Sequence, residues 1–134
     1  MAGVCFTWLG MVLAISFLEA PLKFRAPGIT IPLGLGIGRL VFGALNAVEV
    51  ALAAGVVVVG FLSEQATTVV AAVSAAIGAL FVQLTTVRPV LNRRADRIVA
   101  GETLPASRVH TAYIALEIVK VGGLLTAGIV TLTS

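Results

Sequence analysis

The sequence predicts an all-α integral membrane protein, with four transmembrane helices in an up-down bundle and the outline of a two-helix internal repeat. Three observations carry this. The 134 residues are 59% hydrophobic and 11% charged with a mean hydropathy of +1.11, far too apolar for a water-soluble domain. Uncharged runs cover residues 1–18, 26–38, 50–63, 65–87 and 121–134, and a membrane-crossing helix needs about 20 mostly apolar residues. Joining the runs across the isolated charges Arg39, Glu49, Glu117 and Lys120 gives helices near 3–20, 33–62, 65–88 and 107–132, in a single membrane domain over 1–134.

The first helix carries Trp8 near one end, where it reads as an interfacial anchor, and stops at Pro21. A cleaved signal peptide would need a basic stretch before the apolar core and small residues at the cut. Residues 1–18 have no charged side chain and Phe17-Leu-Glu-Ala-Pro21 is a poor cleavage site, so the segment stays a helix. Glu19 then meets Lys23 and Arg25 as an interfacial charge cluster, or as a gate at a cytoplasmic mouth. Residues 29–37 are apolar but rich in glycine and proline, which suggests a re-entrant or interfacial piece before the second helix settles. Gly34, Gly36 and Gly38 lack the GxGxxG spacing and the strand-turn-helix unit of a nucleotide loop; close helix packing explains them better.

The connection 62–65 is short, with Ser63 as N-cap and Glu64 at a positive helix end, and makes the second and third helices antiparallel neighbours. Small residues four apart on the third helix, Ser74 with Gly78 and Ala75 with Ala79, allow close backbone approach, either inside the bundle or at a dimer seam. Arg88-Pro89 ends or kinks that helix. Residues 90–100 then read as a cytoplasmic amphipathic helix at the membrane surface, ending at Gly101, with Arg93, Arg94 and Arg97 toward anionic lipid. Pro105 and Ser107 open the fourth helix.

Charge sets the orientation. The first connection holds Lys23 and Arg25, with Arg39 close by, the third Arg88, Arg93, Arg94, Arg97 and Arg108, and the second has no Lys or Arg. The positive-inside rule puts the first and third in the cytoplasm and both termini outside an inner, cytoplasmic-type membrane. The same placement accounts for the pI near 9.8 without nucleic acid, because the basic residues flank apolar spans. Cys5 is the only cysteine, which excludes a disulfide within the chain, a thiolate metal cage and a quinone reductase working through paired thiols.

Chemistry concentrates in two stripes. Arg39, Phe42, Asn46 and Glu49 on the second helix match His110, Tyr113, Glu117 and Lys120 on the fourth, at offsets 0, 3, 7 and 10 that share one helix face. A charge near the bilayer centre costs at least about 2.5–3.5 kcal/mol, so these side chains should face the bundle interior and pair. Equal offsets suggest Glu49 beside Lys120, Asn46 beside Glu117 and Arg39 near His110, with Gln83 at a depth to join or gate. His110 is then the free titratable group of the stripe. A metal site would have to come from Glu49, His110 and Glu117, and one histidine supplies neither a di-iron bundle nor two axial haem ligands. Acid-base chemistry on a lipid or quinone by Glu117 and His110 has no nucleophile motif beside it. No cofactor is specified.

The proline segments Pro21-Leu-Lys-Phe-Arg25 and Pro89-Val-Leu-Asn-Arg-Arg94 each precede a striped helix, the outline of the repeat. Trp8-Leu-Gly10, Phe17-Leu-Glu-Ala-Pro-Leu-Lys-Phe24, Gly38-Arg-Leu-Val-Phe42 and Arg88-Pro-Val-Leu-Asn-Arg93, with the later His110, resemble the small four-helix bacterial membrane proteins of the transmembrane protein 205 type. That resemblance implies a four-helix fold and assigns no functional residue. The expected function is binding or transport of a small ligand, ion or proton at the ionisable interior, in a homo-oligomer within the lipid bilayer. The alternative is a non-catalytic accessory subunit packed against a larger membrane complex.

Overall fold

The computed structural model describes residues 1–105 and 107–134. Four helices make up the described residues: α1 (Ala2–Lys23), α2 (Ile31–Leu62), α3 (Thr67–Val99) and α4 (Val109–Thr133), each long and apolar enough to cross a membrane. There is no strand among the described residues.

Two helices run through a proline that the sequence suggested would stop them. Proline lacks an N–H and its ring crowds the preceding turn. In α1 the backbone widens into a π-helical stretch over Leu13–Glu19, where the Ala20 N–H reaches back to the Ile15 carbonyl, and Pro21 is accommodated beyond it. In α3 the same device spans Gln83–Val87, with the Arg88 N–H on the Gln83 carbonyl just before Pro89. Residues 90–100 are therefore not a separate surface helix but the continuation of α3. That helix closes at Gly101, whose positive φ of 99° lets the Glu102 N–H reach the Arg97 carbonyl and its own N–H the Ile98 carbonyl, each at 3.0 Å.

The start of α2 corrects the re-entrant expectation. Thr30 accepts a hydrogen bond from the Leu33 N–H at 3.2 Å and Pro32 sits in the first turn, so the helix begins before its glycines. Those glycines receive the end of α1. A Cβ on Gly34 would overlap the Phe24 ring, and one on Gly38 would lie 2.7 Å from Lys23 Nζ. Ser63 closes α2 rather than opening α3: its hydroxyl donates to the Val59 carbonyl at 2.8 Å, and Ala66 precedes the first turn of α3. At the other connection the Ser107 hydroxyl accepts the Val109 N–H at 3.2 Å, which places the start of α4 two residues later than the sequence suggested.

α4 packs along α3 and α1, whereas α2 leans on α1 and on the Arg88–Val99 part of α3 and meets α4 through side chains rather than by close backbone approach. One end of the assembly holds the apolar core, which gathers Trp8 and Val12 early in α1, Val56 late in α2, Val73 and Ala76 early in α3, and Leu124 and Ala127 late in α4. Inside the bundle the small-residue contact on α3 does not use the pair Ser74 and Gly78. Ser74, Ala75 and Gly78 are exposed, while Ala72 and Ala76 receive Gly123 of α4. Small residues four apart occur on two faces of α3, and the face that also carries Val69, Val73 and Leu80 is the one that buries.

A Cβ on Gly123 would meet the Ala72 carbonyl oxygen at 2.6 Å, whereas one on Gly122 meets nothing within 4 Å. Gly123→Ala is expected to destabilise the bundle by about 1–3 kcal/mol through overpacking, and Gly122→Ala to leave it unchanged. Thermal unfolding of the two variants in one detergent checks this.

Candidate functional site

Below the apolar core, all four helices send a polar side chain to one point. Lys120 of α4 is fully buried, with its Nζ 2.5 Å from Oε1 of Glu49 on α2 and 2.5 Å from Oε1 of Glu117 one turn earlier on its own helix. Trp8 of α1 donates its indole N–H to Glu49 Oε1 at 3.0 Å, and Gln83 of α3 donates its amide to Glu117 Oε1 at 2.7 Å. A buried indole needs an acceptor and a buried charge needs an opposite charge, so each group answers the demand of another. Lys120 lies roughly 16–20 Å from either end of α4 at 1.5 Å per residue.

The cluster is not electrically closed. Two carboxylates face one ammonium, and Glu49 Oε2, Glu117 Oε2, Gln83 Oε1 and Asn46 Oδ1 are buried without a hydrogen-bond partner among the described residues. One formal negative charge is in excess.

A cavity of about 470 Å³ opens on the other side of this cluster, with Glu117 and Tyr113 in its wall. Phe17, Phe24, Phe42 and Ile114 make it mainly apolar, and Lys23, Arg39, Arg88 and His110 add basic groups. The Arg88 guanidinium lies over two rings, 4.8 Å from the Phe42 centroid and 4.6 Å from that of Tyr113, and these rings meet edge to face at 5.8 Å.

The stripes thus meet in part. Glu49 lies beside Lys120 and Phe42 beside Tyr113, as equal offsets suggest. Arg39 does not pair with His110 but with Asp96 near the end of α3, and Glu117 takes Gln83 and Lys120 rather than Asn46. Continuation of α3 past Pro89 is what brings Asp96 to Arg39. His110 is exposed and does not join Glu49 and Glu117. No three His, Cys, Asp or Glu side chains gather to hold a metal among the described residues. Glu19 forms an ion pair with Lys23 at 3.8 Å, and Gln83 sits in the cluster rather than at a mouth.

The chain matches no family model, no curated protein and no solved structure. The resemblance to the transmembrane protein 205 type therefore stands on its short motifs alone.

Two participants were misplaced by the sequence. Trp8 is not an interfacial anchor but is fully buried on Glu49, and Arg88, which the sequence places where Pro89 ends or kinks the helix, lies over the aromatic pair. An indole in the same chain as an intramembrane carboxylate was the available signal for the first. For Arg88 the signal was weaker: Phe42 and Tyr113 at matched offsets.

Lys120→Met leaves two carboxylates buried without their cation and is expected to cost about 3–5 kcal/mol. Adding Glu49→Gln restores the native excess of one charge and should recover part of that loss. Unfolding of the single and double variants in detergent, read as a mutant cycle, measures it.

Proposed function

We propose that this chain is a multi-pass inner-membrane protein whose Glu49–Lys120–Glu117 cluster takes up and releases a proton. The carrying observation is the charge excess: two buried carboxylates share one ammonium, and the cavity reaches one of them, Glu117. One proton would balance that formal excess. Exchange of that proton through the cavity gives the site two states.

Membrane placement is supported by the distribution of side chains. Leu40, Phe61, Phe81 and Leu132 point outward while Glu49, Gln83, Glu117 and Lys120 are inside, the reverse of what water selects. An up-down order is supported by the apolar core, which joins the beginnings of α1 and α3 to the ends of α2 and α4. Lys23, Arg25, Arg93, Arg94, Arg97 and Arg108 then fall on one side, the cytoplasmic one, together with the cavity, and both termini lie outside.

The accessory-subunit reading keeps one supporting observation, the exposed small-residue face Ser74, Ala75 and Gly78 on α3. Function decides between the two. Vesicles containing the purified chain and an entrapped pH dye should acidify or alkalinise under an imposed potential, and Glu117→Gln should reduce the flux to that of protein-free vesicles without loss of folding. Absence of flux from the unaltered chain would leave the accessory role.

A further inference from the structure

We infer that the cavity beside Glu117 binds an amphipathic monoanion, a carboxylate or phosphate head on an apolar body, with Arg88 as the residue that recognises the head. This goes beyond proton exchange at Glu117 and can fail independently of it. Charge bookkeeping around the wall points to Arg88. Lys23 is paired with Glu19 at 3.8 Å, Arg39 with Asp96, and Glu117 with Lys120 at 2.5 Å. Arg88 makes no salt bridge among the described residues, and its Nε and Nη2 are buried without a hydrogen-bond partner.

Buried charged N–H groups without acceptors are costly, so their presence in a cavity wall favours a ligand that supplies oxygens. The guanidinium lies over the rings of Phe42 and Tyr113, which supply no oxygen to it, and its unpartnered Nε and Nη2 form the fork that fits an oxyanion. Two further donors stand unpartnered in the same wall, the hydroxyls of Ser16 and Tyr113. The one carboxylate in the lining, Glu117, has Lys120 and Gln83 on its Oε1 and stands against the basic side chains Lys23, Arg39, Arg88 and His110 of the same wall. The remaining wall is apolar and aromatic, and about 470 Å³ is within the range of pockets that enclose a small organic ligand. A head alone would leave that surface uncovered, and a neutral tail would leave Arg88 unanswered.

The test is a titration of the purified full chain in phosphatidylcholine nanodiscs with dodecanoate, dodecanol and acetate, read by thermal shift and native mass spectrometry. Dodecanoate is expected to bind and to raise the unfolding temperature, with dodecanol and acetate much weaker. Arg88→Gln should weaken dodecanoate roughly tenfold or more, the scale of a lost charge-assisted hydrogen bond, whereas Arg93→Gln, on the exposed side of α3, should not. Ala95→Phe, which fills the cavity from its wall without touching the charge, should also block binding. Repeating the titration with phosphatidylglycerol in the disc separates the sources: competition assigns the site to a lipid headgroup, its absence to a free amphiphile. Equal binding of dodecanol and dodecanoate, or unchanged binding in a folded Arg88→Gln or Ala95→Phe variant, would overturn the inference.

Discussion

Lys120 is the group on which the rest of the bundle converges. One ammonium holds a carboxylate from α2 and another from its own helix, and each carboxylate takes a further donor, from α1 and from α3 respectively. Helices α2 and α4 have almost no backbone contact, so side chains tie them: the Glu49–Lys120 bridge in the cluster and the rings of Phe42 and Tyr113 in the cavity wall. In an apolar solvent there is no hydrophobic force to select one helix register over another. Shifting any helix by a turn would leave a charge or an indole N–H without its partner, and that penalty specifies the arrangement.

Around this point the molecule divides by depth. Toward the start of α1 the helices meet through Val, Ala and Leu and through the close approach of Gly123 to Ala72. On the opposite side they separate around a cavity lined by aromatic and basic side chains. The π-helical stretches in α1 and α3 lie at this transition and carry each helix past its proline. Gln83 opens the one in α3, and Ser16, within the one in α1, faces the cavity. Departure from regular helix thus falls where the apolar packing ends and the polar groups begin.

The four spans were legible in the sequence because apolar runs of membrane-crossing length admit few alternatives. The Glu49–Lys120 pair was legible because intramembrane charges must find partners and equal helical offsets name them. What the sequence concealed follows from tertiary context. Pro21 and Pro89 read as helix ends, yet a widened backbone turn accommodates each, and with Pro89 went the location of Asp96 and so the partner of Arg39. Gly34 and Gly38 read as close-packing positions and are the floor on which Phe24 and Lys23 rest, whereas the re-entrant piece suggested over 29–37 is regular helix from Ile31. Trp8 illustrates a different limit: position near a chain end suggested the interface, while the burial of Glu49 dictated its actual place.

The shared ammonium is open to direct observation. Solid-state nuclear magnetic resonance on the chain in lipid, with nitrogen-labelled lysine and carboxyl-labelled glutamate, reports through-space contacts of Lys120 Nζ, assigned by comparison with Glu49→Gln and Glu117→Gln. The account predicts short contacts from this one nitrogen to both carboxyl carbons, each lost in its own variant and retained in the other. A Lys120 signal in contact with neither carboxylate, or with Glu117 alone, would contradict a bundle held together across α2 and α4.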